Sequence, residues 1–205
     1  MSSSSTRRKV IAAREDLVNA ITMIAKKRGS TLYALVNELL EQAVRAEELG
    51  ITIKEALDLY ELIKAHRNAG QTLIPIEVLN TLAEQVYSNP ELANRLEEMW
   101  FEAGVWYGEY LAIRFRIDSD SVDNNRLAKL VNDILRETRW DFAEVSVRPE
   151  DTGIRVRCVS LLLNVYATKM VAKFIEGLMK SFRYETKREE IRKGLIDLLF
   201  EKKQA

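Results

Sequence analysis

The apolar residues of this chain follow a helical period near its start, with one short break. Leu17, Ile21 and Ile24 recur at helical spacing, and Gly29 ends this run directly after three basic residues. Thr31 can then serve as the N-cap of a second helix, whose apolar stripe comprises Leu35, Val36, Leu39, Leu40 and Val44. The pattern predicts two helices joined by a sharp corner with the sequence GST.

A short strand is predicted in front of this helix pair. The segment TRRKVIAA has a β-branched centre, and it follows a polar stretch, residues 1–6, that predicts a disordered leader. A lone strand has no partner to pair with, and two helices of this size cannot bury their apolar faces by themselves. Pairing of two chains through residues 7–48 would meet both needs.

The middle of the chain, residues 49–90, predicts a helical connector. Its first helix stops near Gly70, and its second starts around Pro75 and ends before Asn89, which precedes a proline. Such a connector could extend the contacts between two chains.

Residues 91–205 mix helical and strand periods. Long helices are predicted over residues 91–116 and 122–138, and WDFAEVSVRPEDTGIRVRCVSLLL alternates around a turn, which is typical of a hairpin. VYATKMVAKFIEGLMKSF returns to helical spacing. The final segment, YETKREEIRKGLIDLLFEK, fits either a helix or a second hairpin that turns at Gly194. The predicted class is α+β, with a helical N-terminal part and antiparallel hairpins in the C-terminal part.

Composition excludes much of the familiar catalytic chemistry. Cys158 is the single cysteine and His66 the single histidine among 205 residues, so an internal disulfide, a Cys/His metal site and a His-based triad are excluded. The motifs of phosphate-binding loops and nucleophile elbows are missing as well. Asp118, Asp120 and Asp123 crowd one loop, but their spacing lacks the glycine and the final glutamate of a calcium loop. We therefore expect no enzyme, no cofactor and no metal, and a buried, inert Cys158.

The chain carries no signal of export or membrane insertion. MSSSSTRRK lacks the apolar core of a signal peptide, and no apolar run approaches the ~20 residues of a membrane span. The expected location is the cytoplasm.

Charge is distributed unevenly. The net charge of the chain is zero, yet residues 1–45 hold eight Lys and Arg against four Asp and Glu. The basic end is the candidate surface for a polyanionic partner.

Residues 7 to about 46 resemble the ribbon-helix-helix (Arc/MetJ/CopG-type) DNA-binding fold. The shared features are the order of strand, helix, Gly-x-Ser/Thr corner and helix, and the spacing of the apolar residues. The resemblance implies a homodimer whose paired strands enter the major groove of double-stranded DNA, while the start of the second helix holds a phosphate. It implies DNA contacts from Arg7, Arg8, Lys9, Val10, Ala12, Lys26, Lys27, Arg28, Thr31, Leu32 and Tyr33.

Two alternatives stay open at this stage. The helix pair could be an ordinary helical hairpin with a solvated basic turn. The strand also departs from the family, because Arg8 alone among the residues expected to face the groove, Arg8, Val10 and Ala12, can donate to a guanine edge. Sequence recognition would then depend on thymine methyl groups and DNA shape.

The order of elements after residue 91 is similar to the 4-vinyl reductase domain, a ligand-sensing module. The matching features are the glycines of EAGVWYGEYLA, the stretch RETRWDFAEVSV, KFIEGLMKSF, and RKGLIDLLFE. The resemblance implies an apolar ligand pocket lined by Trp106, Phe115, Trp140, Phe142 and Tyr166, although these aromatic residues could equally fill a core. Glu190 and Leu198 stand where many relatives carry a cysteine pair, which argues against a metal.

Together these features predict a dimeric transcriptional regulator with an N-terminal DNA-binding domain. The C-terminal domain would sense a small apolar molecule or contribute to dimerisation. The alternative is a scaffold protein that dimerises through the same N-terminal segment without binding DNA.

Overall fold

A computed structural model describes residues 9–68, 72, 74–137 and 141–203. The chain divides into two compact units, Met1–Thr72 and Leu73–Ala205, which are called the N-terminal unit and the C-terminal unit below. The predicted leader, residues 1–6, lies outside the described residues. The predicted domain boundaries stay a prediction.

The N-terminal unit consists of three helices over its described residues, namely α1 (Glu15–Arg28), α2 (Leu32–Glu48) and α3 (Ile53–Asn68). The helix pair and its corner are confirmed. The start of α3 is fixed by a capping box, in which Thr52 Oγ1 accepts from the Glu55 amide at 3.1 Å and Glu55 Oε2 accepts from the Thr52 amide at 2.6 Å.

The expected ribbon is not present in this structure. Residues 9–14 adopt no strand, in contrast to the strand predicted for TRRKVIAA. A strand is held by hydrogen bonds to a neighbouring strand, and the single chain places none beside this segment. The described part of the N-terminal unit is therefore helical, and a β-ribbon would require a second chain.

The C-terminal unit combines four helices with one antiparallel sheet, so the α+β class is confirmed. Its elements are α4 (Ile76–Tyr87), α5 (Pro90–Phe115), α6 (Asn124–Glu137), β1 (Phe142–Pro149), β2 (Gly153–Ser160), α7 (Val165–Ser181), β3 (Tyr184–Arg192) and β4 (Leu195–Lys202). The final segment forms a hairpin rather than a helix. Gly194 adopts a left-handed φ of 70° at its turn, a conformation that glycine accepts without steric cost.

The sheet has the strand order β1-β2-β4-β3, and all of its pairs are antiparallel. Alternate residues of the two central strands point to the helices and are fully buried, as the period of two requires. On this face Cys158 lies opposite Ile196, and Val156 lies opposite Leu198. The other face mixes charged residues with the half-buried Val159, Leu195 and Leu199, and on it Arg155 donates two hydrogen bonds of 2.8 Å to the Asp197 carboxylate across the strands.

Helix α7 lies at the centre of the unit, because it packs against α4 and α5 as well as against β3 and β4. Buried residues surround it on nearly all sides, as expected for an internal helix. Glycines permit the close crossing of α5 and α7. A Cβ added at Gly104 would lie 2.0 Å from the Phe174 carbonyl oxygen, and one added at Gly177 would lie 1.9 Å from the Phe101 carbonyl oxygen.

We predict that Cys158 of the native protein resists alkylation at pH 8. The side chain is fully buried in the middle of β2, and burial raises the pKa of its thiol to about 12, so almost no reactive thiolate forms. A maleimide or disulfide reagent should label one thiol per chain in urea and essentially none without urea. If the native protein were labelled rapidly and a Cys158→Ser control were not, Cys158 would be accessible to the reagent. This result would contradict its burial in the sheet.

Candidate nucleic-acid interface

The corner between α1 and α2 is built by two local signals. Gly29 has a φ of 66°, and the Ser30 amide donates back to the Ala25 carbonyl at 2.9 Å, which is the Schellman arrangement that ends a helix. Thr31 then opens α2, since its Oγ1 accepts from the Ala34 amide at 3.1 Å. The predicted C-cap and N-cap are both confirmed.

Cations border this corner. Lys26, Lys27 and Arg28 form the last turn of α1 and are all exposed. Their charges suit the negative end of the α1 dipole, and because successive residues turn by about 100° they fan out around the helix end. Arg28 also lies 3.7 Å from the Glu38 carboxylate of α2, so part of its charge is compensated.

The sequence patterns missed this ion pair. Arg28 and Glu38 sit on different helices, ten residues apart, and no helical spacing relates them. The tight turn at Gly29 brings them together.

The start of α2 retains its positive character. No acidic residue lies in its first turn, whereas α1 begins with Glu15 and Asp16. The Leu32 amide belongs to the first turn, where no earlier carbonyl of the helix is available as an acceptor. Thr31, Leu32 and Tyr33 are exposed beside it. These features meet the requirements of an anion site at a helix N-terminus.

The remaining residues of the predicted DNA-contact set precede α1. Lys9, Val10 and Ala12 are exposed, while Arg7 and Arg8 lie outside the described residues. Arg14 follows this segment and donates a 3.0 Å hydrogen bond to Asp16, which lowers the pKa of that carboxyl and engages the Arg14 charge. In the single chain, this segment and the α1–α2 corner do not form one common DNA-contacting surface.

The N-terminal unit exposes much of its apolar content. Among its described residues, few large apolar side chains are buried; Leu35 and Leu62 are the clearest cases. Others that the helical pattern assigns to apolar faces expose between 44% and 64% of their surface: Leu17, Ile24, Leu39, Leu40, Val44, Leu57 and Tyr60. On α2, Leu40 and Val44 line a shallow groove with Asn37, Glu41, Arg45 and Glu48. Exposed apolar surface of this extent is typical of a protein interface.

The predicted ligand-pocket residues are spread over the C-terminal unit. Trp106 and Phe115 are both on α5, nine residues apart, and expose 40% and 43% of their surface. Phe142 is half-buried at the start of β1, and Tyr166 lies on α7 with its ring 4.8 Å from that of Tyr87. Trp140 lies outside the described residues. A groove of about 540 Å³ between α6 and β1 is lined by other residues. The pocket stays a prediction.

The acidic loop between α5 and α6 is held by its own hydrogen bonds. Ser121 donates to Asp118 at 2.7 Å, which lowers the pKa of the Asp118 carboxyl, and Asp123 caps α6 by accepting from the Arg126 amide. The exposed side chains of Asp118 and Asp123 therefore stabilise the loop and the start of α6.

Within the described residues, carboxylate, thiol and imidazole side chains form no cluster suited to a metal ion. No helix in the described part of the chain is both long enough and apolar enough to span a membrane. Known protein families give no match to this sequence, and neither do curated proteins.

Proposed function

We propose that this protein is a dimeric DNA-binding transcriptional regulator of ribbon-helix-helix type. The observation that carries the proposal is the α1–α2 corner, where the exposed cations Lys26, Lys27 and Arg28 stand next to the start of α2, whose first turn holds no acidic residue. Backbone amides and a helix dipole directed at one point, with cations beside them, favour a phosphate oxygen as ligand.

The exposed apolar surface of the same unit supports the proposed dimerisation. Leu40 and Val44 project from α2 into solvent in the single chain, which leaves them without the burial that stabilises an apolar side chain. Packing them against a second copy would cover this surface. It would also place two N-terminal segments side by side, so that residues 7–13 could pair as a ribbon and present Arg8 to the major groove.

The C-terminal unit is proposed to act on the dimer. Its core is built around α7, which packs against helices and strands, and any small apolar ligand would regulate DNA binding only by preferring one arrangement of the dimer. The resemblance to the 4-vinyl reductase domain supports this role.

The corner is tested by the triple variant Lys26→Gln, Lys27→Gln and Arg28→Gln. We expect it to weaken binding to double-stranded DNA by about 100-fold at physiological salt, and by a similar factor for every sequence, because phosphate contacts carry no base information. Fluorescence anisotropy with several unrelated DNA duplexes measures both effects.

A matched control carries three conservative changes elsewhere on the chain, Lys54→Gln, Lys64→Gln and Arg67→Gln on α3, which remove the same charge. Equal loss of affinity in the two triple variants would mean that net charge alone matters. Unchanged affinity in the corner variant would refute the phosphate role of the corner.

A further inference from the structure

Helix α5 exposes a continuous apolar row on the side turned away from α7. Leu92, Met99, Trp106 and Ile113 recur every seven residues and expose 49%, 61%, 40% and 80% of their surface. Half-buried apolar residues fall between them at the intervening positions: Leu96, Ala103 and Tyr110. Together these seven side chains are called the α5 seam.

The spacing of the α5 seam is that of a coiled coil. Apolar residues alternate at intervals of four and three over 22 residues, which is the a/d pattern by which two helices interlock. The row extends for roughly 30 Å at the rise of an α-helix. Gly104 and Gly108 contact α7 on another side of α5, so the exposed row of the seam lies apart from that crossing.

Three charged residues flank the exposed edge of the seam, again seven residues apart. They are Arg95, Glu102 and Glu109, and all are exposed. Arg95 and Glu109 are 14 residues apart on one rigid helix, about 21 Å, so they cannot pair within a chain. An antiparallel second helix would place Glu109 of the second copy beside Arg95 and would repeat this pair symmetrically.

We propose that the α5 seam binds the α5 seam of a second copy of this chain in antiparallel orientation. In this register Met99 faces the small Ala103 of the second copy, and Leu96 faces its Trp106, so apolar side chains meet at both layers of the contact. Glu102 lies at the two-fold axis beside its own equivalent. A parallel pair would instead set Arg95 against an uncharged Trp100, without an ion pair.

The size of the seam sets the strength of this contact. The exposed fractions of its side chains correspond to roughly 500 Å² per copy, below the ~800 Å² of a standard interface. The seam alone should therefore give only weak, transient association. This interface involves a different unit from the proposed DNA-binding surface and does not depend on it.

Cross-linking through a single new cysteine tests the proposal on the full chain. Glu102→Cys lies on the two-fold axis, and native Cys158 is buried, so a short bismaleimide should join two chains at position 102. Glu98→Cys is the control, because it is exposed on the same helix but lies one turn from the two-fold axis, so its two copies would be separated by about 12 Å along the helices. We expect efficient cross-linking at position 102 and at least fivefold less at position 98.

Charge reversal tests the orientation in the Glu102→Cys background. Arg95→Glu and Glu109→Arg should each lower the cross-linking yield at least threefold, because each creates two like-charge contacts. The double variant should restore the yield, since the pairs re-form with reversed sign. A double variant as poor as the single variants, or equal cross-linking at positions 98 and 102, would overturn the proposal. DNA binding is not read out here, so failure of the proposed function would not alter these yields.

Discussion

Replacing Val44 by glutamate is expected to separate the proposed N-terminal dimer and, with it, to abolish the proposed DNA binding at physiological salt. Val44 exposes 59% of its surface in the single chain, so the new carboxylate would be solvated in a monomer and would cost the monomer almost nothing. In a dimer packed through α2 the carboxylate would be buried without a partner. A buried unpaired charge costs several kcal/mol, enough to raise the dimer Kd by at least ~100-fold.

Sedimentation velocity at about 1 µM chain measures this change, since dimer stability depends on concentration and the α5 seam is too weak to hold chains together there. Asn19→Glu is the matched control, because it adds the same charge at an exposed polar position of α1. We expect Asn19→Glu to remain dimeric and Val44→Glu to sediment as a monomer. A Val44→Glu protein that stays dimeric at this concentration would contradict the proposed α2 interface.

Substituting Gly104 by valine is expected to destabilise the C-terminal unit by about 3 kcal/mol or more. Even the first added carbon would lie 2.0 Å from the Phe174 carbonyl oxygen and 2.9 Å from the Leu178 amide nitrogen. Both atoms belong to the backbone of α7, which cannot rotate away as a side chain would. To accommodate the valine side chain, α5 and α7 would have to move apart where they cross.

Urea unfolding followed by tryptophan fluorescence isolates this effect. All three tryptophans of the chain lie in the C-terminal unit, so the N-terminal unit does not contribute to the signal. Glu98→Val is the control, since it places the same β-branched side chain at an exposed position of the same helix. If the two variants unfold at the same urea concentration, the close α5–α7 crossing is not required for stability.

Local signals made most of the elements predictable. The Gly29 C-cap, the Thr31 N-cap and the PEDTG turn depend on neighbouring residues, and the structure places each where the sequence indicates. The last hairpin was ambiguous because its apolar residues, among them Ile196 and Leu198, suit either period. Pairing of β4 with β2 decides between them, and this contact joins segments about 40 residues apart.

The features that could not be predicted from the sequence depend on contacts between distant residues or between chains. The strand predicted for TRRKVIAA does not form over residues 9–14, because a strand needs a partner and one chain does not provide it. The sequence predicts an apolar stripe on α2, but only the structure separates the buried Leu35 from the exposed Val44. The α5 seam was visible as a seven-residue repeat, yet aromatic residues such as Trp106 are equally expected in a core or a pocket. Exposure distinguishes these possibilities.

The salt dependence of binding to double-stranded DNA tests the central claim most directly. A dimer that brings two corners and two basic N-terminal segments to the duplex should neutralise at least about six phosphates, so the logarithm of its affinity should fall with the logarithm of salt concentration with a slope near −5. The measurement needs only the unmodified protein, a labelled duplex and a salt titration. A slope of this size is the predicted result. The absence of binding at low salt, or a slope near zero, would contradict the account and favour a scaffold that dimerises without DNA.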